Sequence, residues 1–257
     1  MRSFLTPPSV LHSARGMVMN PFFTVGHSTL SIDEFVALLG AVDVELVADV
    51  RTIPRSRTNP QYNRDVLPTT LKPFNLDYIH IPELGGLRSR RSVARSVNGF
   101  WQNESFHNYA DYAMGEEFRS GLCKLRQVGH AQRCVLMCAE AVWWRCHRRI
   151  IADYLIAGGE AVIHILAKGR TELARITEAA VRHPDATLAY PASSTIVGYH
   201  QDEEKHWVAE LSCGHQQHVR HRPPFVERPW VLTETGRAAK IGHPVKCAEC
   251  ARESKAT

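Results

Sequence analysis

The chain has 257 residues, 44% hydrophobic and 22% charged, with a formal net charge of +5. That composition is that of an ordinary globular protein, and no apolar run approaches the roughly 20 residues needed to span a bilayer, so no membrane partner is expected. The mild positive charge is by itself too small to argue for nucleic acid.

Residues 1–20 read as a flexible leader, with a Pro7-Pro8 pair and scattered serines but no apolar core of a signal peptide. Met17 and Met19 stand just before the first strand and are alternative starts. Without an export signal a cytoplasmic location is expected. The seven cysteines are then thiols or metal ligands rather than a disulfide framework.

Residues 22–25 form a short strand broken by Gly26-His27-Ser28. Ser31 and Glu34 make a capping box for a helix with Phe35, Leu38 and Leu39 on its apolar face, and Gly40 stops it. A buried strand over 45–50 leads into an Arg- and Pro-rich loop, and a third strand over 77–81 ends in Pro82-Glu83-Leu84-Gly85-Gly86. After a polar loop, Phe106, Tyr109, Tyr112 and Ala113 share a helical face, and Phe118, Leu122 and Leu125 continue the helical pattern. A fourth strand covers 134–137. A helix with Ile150, Ile151, Tyr154 and Leu155 on its core side follows, and then a fifth strand over 161–166. Short, wholly apolar strands alternating with helices predict an α/β domain over 21–167, with an open, mainly parallel sheet flanked by helices. Residues 168–194 are expected as a helix (172–181) and linker, and 195–257 as a small β-rich zinc-binding domain.

In the tail, Cys213-Gly214-His215 turns the chain after an alternating segment, and two residues apart in extended backbone point the same way. Cys247-Ala248-Glu249-Cys250 has the spacing that lets two thiolates bind one tetrahedral zinc. Cys213, His215, Cys247 and Cys250 are therefore the expected ligands, with His218 or His221 as alternatives to His215. Four protein ligands close the coordination shell, so this zinc is expected to be structural.

In open parallel sheets ligands bind beyond the carboxyl ends of the strands. His27, Asp49, Arg51, Arg55, Glu83, Cys138, Glu140, Arg145 and Arg148 follow strands here. Cys138, Glu140 and His27 are the candidate catalytic groups. Cys138 stands where a helix N-terminus and Arg145 and Arg148 favour a thiolate. Arg51, Arg55, Glu83, Arg145 and Arg148 are the candidate ligand-binding groups, and with Arg88 these arginines are expected to converge near the strand ends, since the arginine fork suits phosphate. Trp143 and Trp144 read as packing residues, Asp49 as a partner for Arg51, and Cys146 as shielded on the packed side of a helix.

Several spaced motifs carry a resemblance. Val25-Gly26-His27-Ser28, Asp49-Val50-Arg51 with Pro54-Arg55-Ser56, Glu83-Leu84-Gly85-Gly86, Tyr109-Ala110-Asp111-Tyr112 and Met137-Cys138-Ala139-Glu140 with Cys146-His147-Arg148 resemble the domain of unknown function 488 over about 22–166. Trp207-Val208-Ala209, Cys213-Gly214-His215, His218-Val219-Arg220-His221 with Pro223-Pro224, and Arg228-Pro229-Trp230-Val231-Leu232 resemble the domain of unknown function 3565 over about 196–250. The resemblance implies the domains and no activity.

The leading functional expectation is an enzyme-like pocket for an anionic small molecule or nucleic acid. A cysteine-phosphatase or rhodanese loop fits poorly, because six residues without a glycine separate Cys138 from Arg145. One alternative is a non-catalytic nucleic-acid- or protein-binding module using Arg220, Arg222 and Arg228 beside Trp207, Phe225 and Trp230. A second is metal-dependent chemistry at Cys138, Cys146 and His147. It ranks below the others because Cys146 and His147, adjacent on a helix, would point apart. Strand order and oligomeric state are not legible in the sequence.

Overall fold

The structure is a computed structural model that describes residues 20–91, 93, 97–192, 194–220, 226–250 and 252. The leader up to residue 19 lies outside the described residues, as do His221, Arg222, Pro223, Pro224 and Phe225.

Six strands build one sheet: β1 (Phe22–Gly26), β2 (Leu46–Asp49), β3 (Asp77–His80), β4 (Cys134–Cys138), β5 (Val162–Ala167) and β6 (Arg170–Leu173). Their order is β3-β2-β4-β1-β5-β6. The first five are parallel, and β6 runs antiparallel to β5. Side chains alternate between the two faces. Phe23, Val25, Val47, Val135 and Met137 pack with α1 (Ile32–Gly40) and α2 (Leu67–Leu71). Phe22, Leu46, Ala48, Cys134, Leu136 and Cys138 pack with α3 (Glu104–Ala113), α4 (Glu116–Ala131) and α5 (Arg148–Ala157). Both faces are covered, which is why the central strands are apolar throughout. The Ser31–Glu34 capping box is formed at the start of α1.

The helix expected over 172–181 is absent. The chain instead turns back at Lys168-Gly169, where Gly169 takes φ +70, and adds β6 to the sheet edge. Glycine adopts this left-handed conformation without steric cost. A short hairpin follows, β7 (Val181–Arg182) with β8 (Leu188–Ala189). Ala174, Leu188 and Tyr190 join the first core, and the Tyr190 hydroxyl donates to Asp153 Oδ2 at 3.0 Å. Residues of the expected helix and linker thus join this sheet and its core.

The second unit is an antiparallel sheet, β11-β10-β9-β12, of β9 (Ser194–Gln201), β10 (Trp207–Leu211), β11 (Gln216–His218) and β12 (Pro244–Val245), with a short α6 (Glu234–Ala238). Its core is small: Ile196, Ala209, Leu211, Val219 and Val231 beside Cys247 and Cys250. Among the described residues no helix is long and apolar enough to cross a membrane.

Candidate functional site

The site begins where β4 leaves the sheet. Gly26 pairs in register with Cys138, and the His27 N–H donates to the Cys138 carbonyl at 2.9 Å. A Cβ on Gly26 would fall 2.0 Å from the Glu140 carbonyl oxygen, so the two strand ends approach this closely only with glycine there. Strand alternation turns Cys138 toward the layer of α3, α4 and α5. A single 3-10 turn, Trp143–Arg145, then brings the chain back, and Cys146 is extended (φ -121, ψ 145) just before α5 begins.

That extended residue corrects the expectation that Cys146 and His147 point apart. The thiols of Cys138 and Cys146 and a ring nitrogen of His147 all lie within 4.8 Å of one another. Cys146 Sγ is 3.6 Å from His147 Nδ1. The His147 ring is fixed from three sides. Its Nε2–H donates to the Val50 carbonyl at 2.9 Å, and Tyr109 meets it edge-on at 5.0 Å. A Cβ on Gly86 would lie 2.4 Å from Nδ1. With the proton on Nε2, Nδ1 presents a lone pair on the side of the thiols. Arg148, 1% exposed, donates from Nε to Cys146 Sγ at 3.3 Å and from Nη2 to the Glu140 carbonyl.

The electrostatics reverse the expected roles of the two thiols. The hydrogen bond from Cys138 holds the Cys146 pKa well below the ordinary thiol value, with His147 and Arg148 adding to it against the effect of burial. The same bond, with burial, pushes Cys138 well up. Of the two thiols it is therefore Cys146, expected to be shielded by packing, whose pKa is lowered.

These groups line a cavity of about 300 Å³ at the carboxyl ends of β2 and β4. Arg51, Thr52 and Ile53 form one wall, Gly86 and Leu87 another, Ser105, Phe106 and Tyr109 of α3 a third, and Cys138 through Glu140 with Arg145 through His147 the last. Of the expected site residues, Cys138, Glu140, Arg51 and Arg145 are in this lining. Sequence reasoning missed Thr52, Phe106 and Tyr109 as lining groups. Tyr109 was legible only as a core position, although it sits in one of the motifs that carry the resemblance.

The remaining expected residues lie elsewhere. His27 is 1% exposed, stacked on Tyr62 at 3.9 Å, with Nδ1–H donating to the Ser28 carbonyl at 3.0 Å and Nε2 accepting from Arg51 at 3.2 Å. Burial, and then the Arg51 charge, lowers its pKa to about 4. Both ring nitrogens are engaged and the ring is outside the cavity lining. Glu83 pairs with Lys124 of α4, also outside the lining. Arg88 donates to the carbonyls of Pro82 and Gly85 and lies 3.8 Å over the Tyr112 ring. Arg55 lines a separate recess with Pro54, Arg64 and Asp65. The expected convergence of five arginines therefore reduces to Arg51 and Arg145 at the cavity, with Arg148 beneath it.

In the second unit, ligand atoms of Cys213, His215, Cys247 and Cys250 lie within 4.8 Å of one another. Gly214, at φ +84, makes the turn that folds Cys213 and His215 back together. The Cys250 N–H points at Cys247 Sγ at 3.4 Å, and His215 Nδ1 is 3.3 Å from Cys250 Sγ. His218 instead meets Asp202 at 2.7 Å, so it is not the histidine of this group. Three thiols and an imidazole at this spacing can hold a metal ion. The rings expected as stacking surface are occupied within the unit: Arg237 lies 3.8 Å over Trp207, and Trp230 meets Tyr199 at 6.2 Å.

A family model described as Domain of unknown function DUF488 matches residues 31–155, and one described as Protein of unknown function (DUF3565) matches residues 197–254. No curated protein and no solved structure matches the chain. The chain thus carries, in this order, a segment that matches the domain of unknown function 488 and a segment that matches the domain of unknown function 3565.

Proposed function

We propose that the α/β domain is an enzyme whose active site is the cavity at the carboxyl edge of its sheet. Its ligand is an anionic, phosphate-bearing molecule of nucleotide size, and the second domain is a module built on one structural zinc. The observation that supports this reading is the lining itself. Two thiols, an imidazole and the Glu140 carboxylate share one ligand-sized cavity with Arg145, which has no ion-pair partner among the described residues. Open α/β sheets bind ligands at this edge, and a cavity that gathers titratable groups is where chemistry is carried out. In this reading Arg145 holds the anion and Glu140 accepts a proton from the reacting ligand. Arg51 keeps the wall in shape, its charge neutralised by Asp49. The second domain has four closed ligands and a core of few aliphatic residues, so zinc contributes to its folding rather than to turnover.

Calorimetric titration of the full chain with a nucleoside 5′-monophosphate and with pyrophosphate tests the reading. Removing a charge-assisted bond to phosphate costs ~1.5–3 kcal/mol, so Arg145→Ala weakens binding roughly tenfold to a hundredfold. Equal affinity of wild type and Arg145→Ala, or no affinity of the wild type for either ligand, overturns it.

A further inference from the structure

We propose that Cys138, Cys146 and His147 form a second metal site, of the zinc class, that is held by three protein ligands and opens onto the cavity. The proposal rests on the reading of that cavity as an active site and supplies its chemistry. Two sulfurs and an imidazole nitrogen are a soft donor set that selects zinc over magnesium or calcium. Tetrahedral zinc with bonds of ~2.3 Å to sulfur and ~2.0–2.1 Å to nitrogen separates an S and an N ligand by about 3.6 Å. Cys146 Sγ and His147 Nδ1 are 3.6 Å apart.

The surroundings have the form that metal sites require. A ligating histidine gives its other N–H to a carbonyl or carboxylate, which fixes ring and tautomer. His147 does this with the Val50 carbonyl, and the nitrogen left over is the one beside the thiols. Arg148 supplies a buried positive charge that, among the described residues, has no carboxylate within ion-pair distance. Its side chain is spent on Cys146 Sγ and one carbonyl. Burying a guanidinium without an anion is costly, and a Cys146 thiolate, the form of the side chain that binds a metal, provides that anion through the bond from Nε. Gly86 leaves the ring its space.

The two cysteine sites of the chain then differ in kind. Among the described residues the tail brings four candidate ligands together, whereas the first domain brings three, all in the cavity lining. Three protein ligands beside a ligand-sized cavity are the arrangement of a metal that keeps a position for substrate.

Elemental analysis of the full chain, purified with reductant, loaded with zinc and freed of excess, tests the proposal. Two zinc ions per wild-type chain are expected. Cys146→Ser and His147→Gln each lower the count to one, Cys213→Ser also leaves one, and Arg145→Ala leaves both. In cobalt-loaded Cys213→Ser protein, thiolate-to-cobalt absorption is expected, and it disappears on adding Cys146→Ser. One zinc per wild-type chain overturns the proposal, as does a count of two that persists in Cys146→Ser, or a Cys138–Cys146 disulfide in the reduced preparation. The wild-type count needs no substitution, so a variant that fails to fold does not obscure it. Two zinc ions without nucleotide affinity would remove the ligand reading and leave the metal site standing. Nucleotide affinity with a single zinc would do the reverse.

Discussion

Asp49 takes both arms of the Arg51 guanidinium, Nε at 2.8 Å and Nη2 at 2.6 Å, with both side chains buried. The Tyr78 hydroxyl completes the carboxylate at 2.8 Å, and the remaining arginine nitrogen reaches His27. This network ties the ends of β1, β2 and β3 together and sets the wall of the cavity that Arg51 forms.

Asp49→Ala leaves the Arg51 charge buried without its partner. Breaking such a pair costs about 3–5 kcal/mol, so urea unfolding should show a loss of that size. A loss under about 1 kcal/mol would mean that water reaches the guanidinium and that the network does not hold the strand ends.

The tail is expected to depend on its metal. The unit has a small core, so under the proposed structural zinc Cys247→Ser or Cys250→Ser removes a thiolate on which its folding relies. Zinc at the tail site is lost, and the amides of β9, β10 and β11 lose hydrogen-exchange protection. Unchanged protection in the double variant would show that the apolar core suffices.

His164 provides a pH signature. It is 1% exposed, bonded to Thr24 Oγ1 at 2.7 Å and stacked on Trp143 at 4.1 Å. Burial, and then the nearby Arg148 charge, lowers its pKa from 6.5 to about 4. Between about 4 and 6.5 the unfolded chain binds a proton that the folded chain refuses, so stability falls as pH falls through that window, by up to ~3 kcal/mol. Asp153 works the other way. Burial raises its pKa from 3.8 to about 6, and the folded state gains a proton as pH falls. The comparison is therefore between wild type and His164→Gln, which keeps a polar group for Thr24. The variant should lose less stability between pH 6.5 and 4, and parallel curves would contradict the assignment.

The strands and the first helix were legible because apolar runs, the Ser31–Glu34 box and Gly40 all pointed the same way. The edge strand β6 was not. Leu173, Ala174 and Ile176 pass for a helical face, and the Lys168-Gly169 turn that adds the strand to β5 is a weak two-residue signal. The tail's group of Cys213, His215, Cys247 and Cys250 was legible from spacing, with His218 and His221 left open as alternatives to His215. The first domain's cluster ranked low because a helical reading of 146–148 sends Cys146 and His147 apart, whereas one 3-10 turn and one extended residue bring Cys138, Cys146 and His147 together. The arginines near strand ends were overcounted for a similar reason. Sequence places Arg88 and Arg148 close to the edge but does not show that carbonyls and a sulfur occupy them.

A crystal structure of the full chain with a nucleoside 5′-monophosphate decides whether the cavity between β2, β4, α3 and α5 receives a phosphate-bearing anion. The phosphate is expected inside the cavity, within hydrogen-bond distance of the Arg145 guanidinium and bordered by Cys138, Cys146 and His147. A nucleotide bound only on the second domain, or in the recess of Arg55 and Arg64, would contradict it.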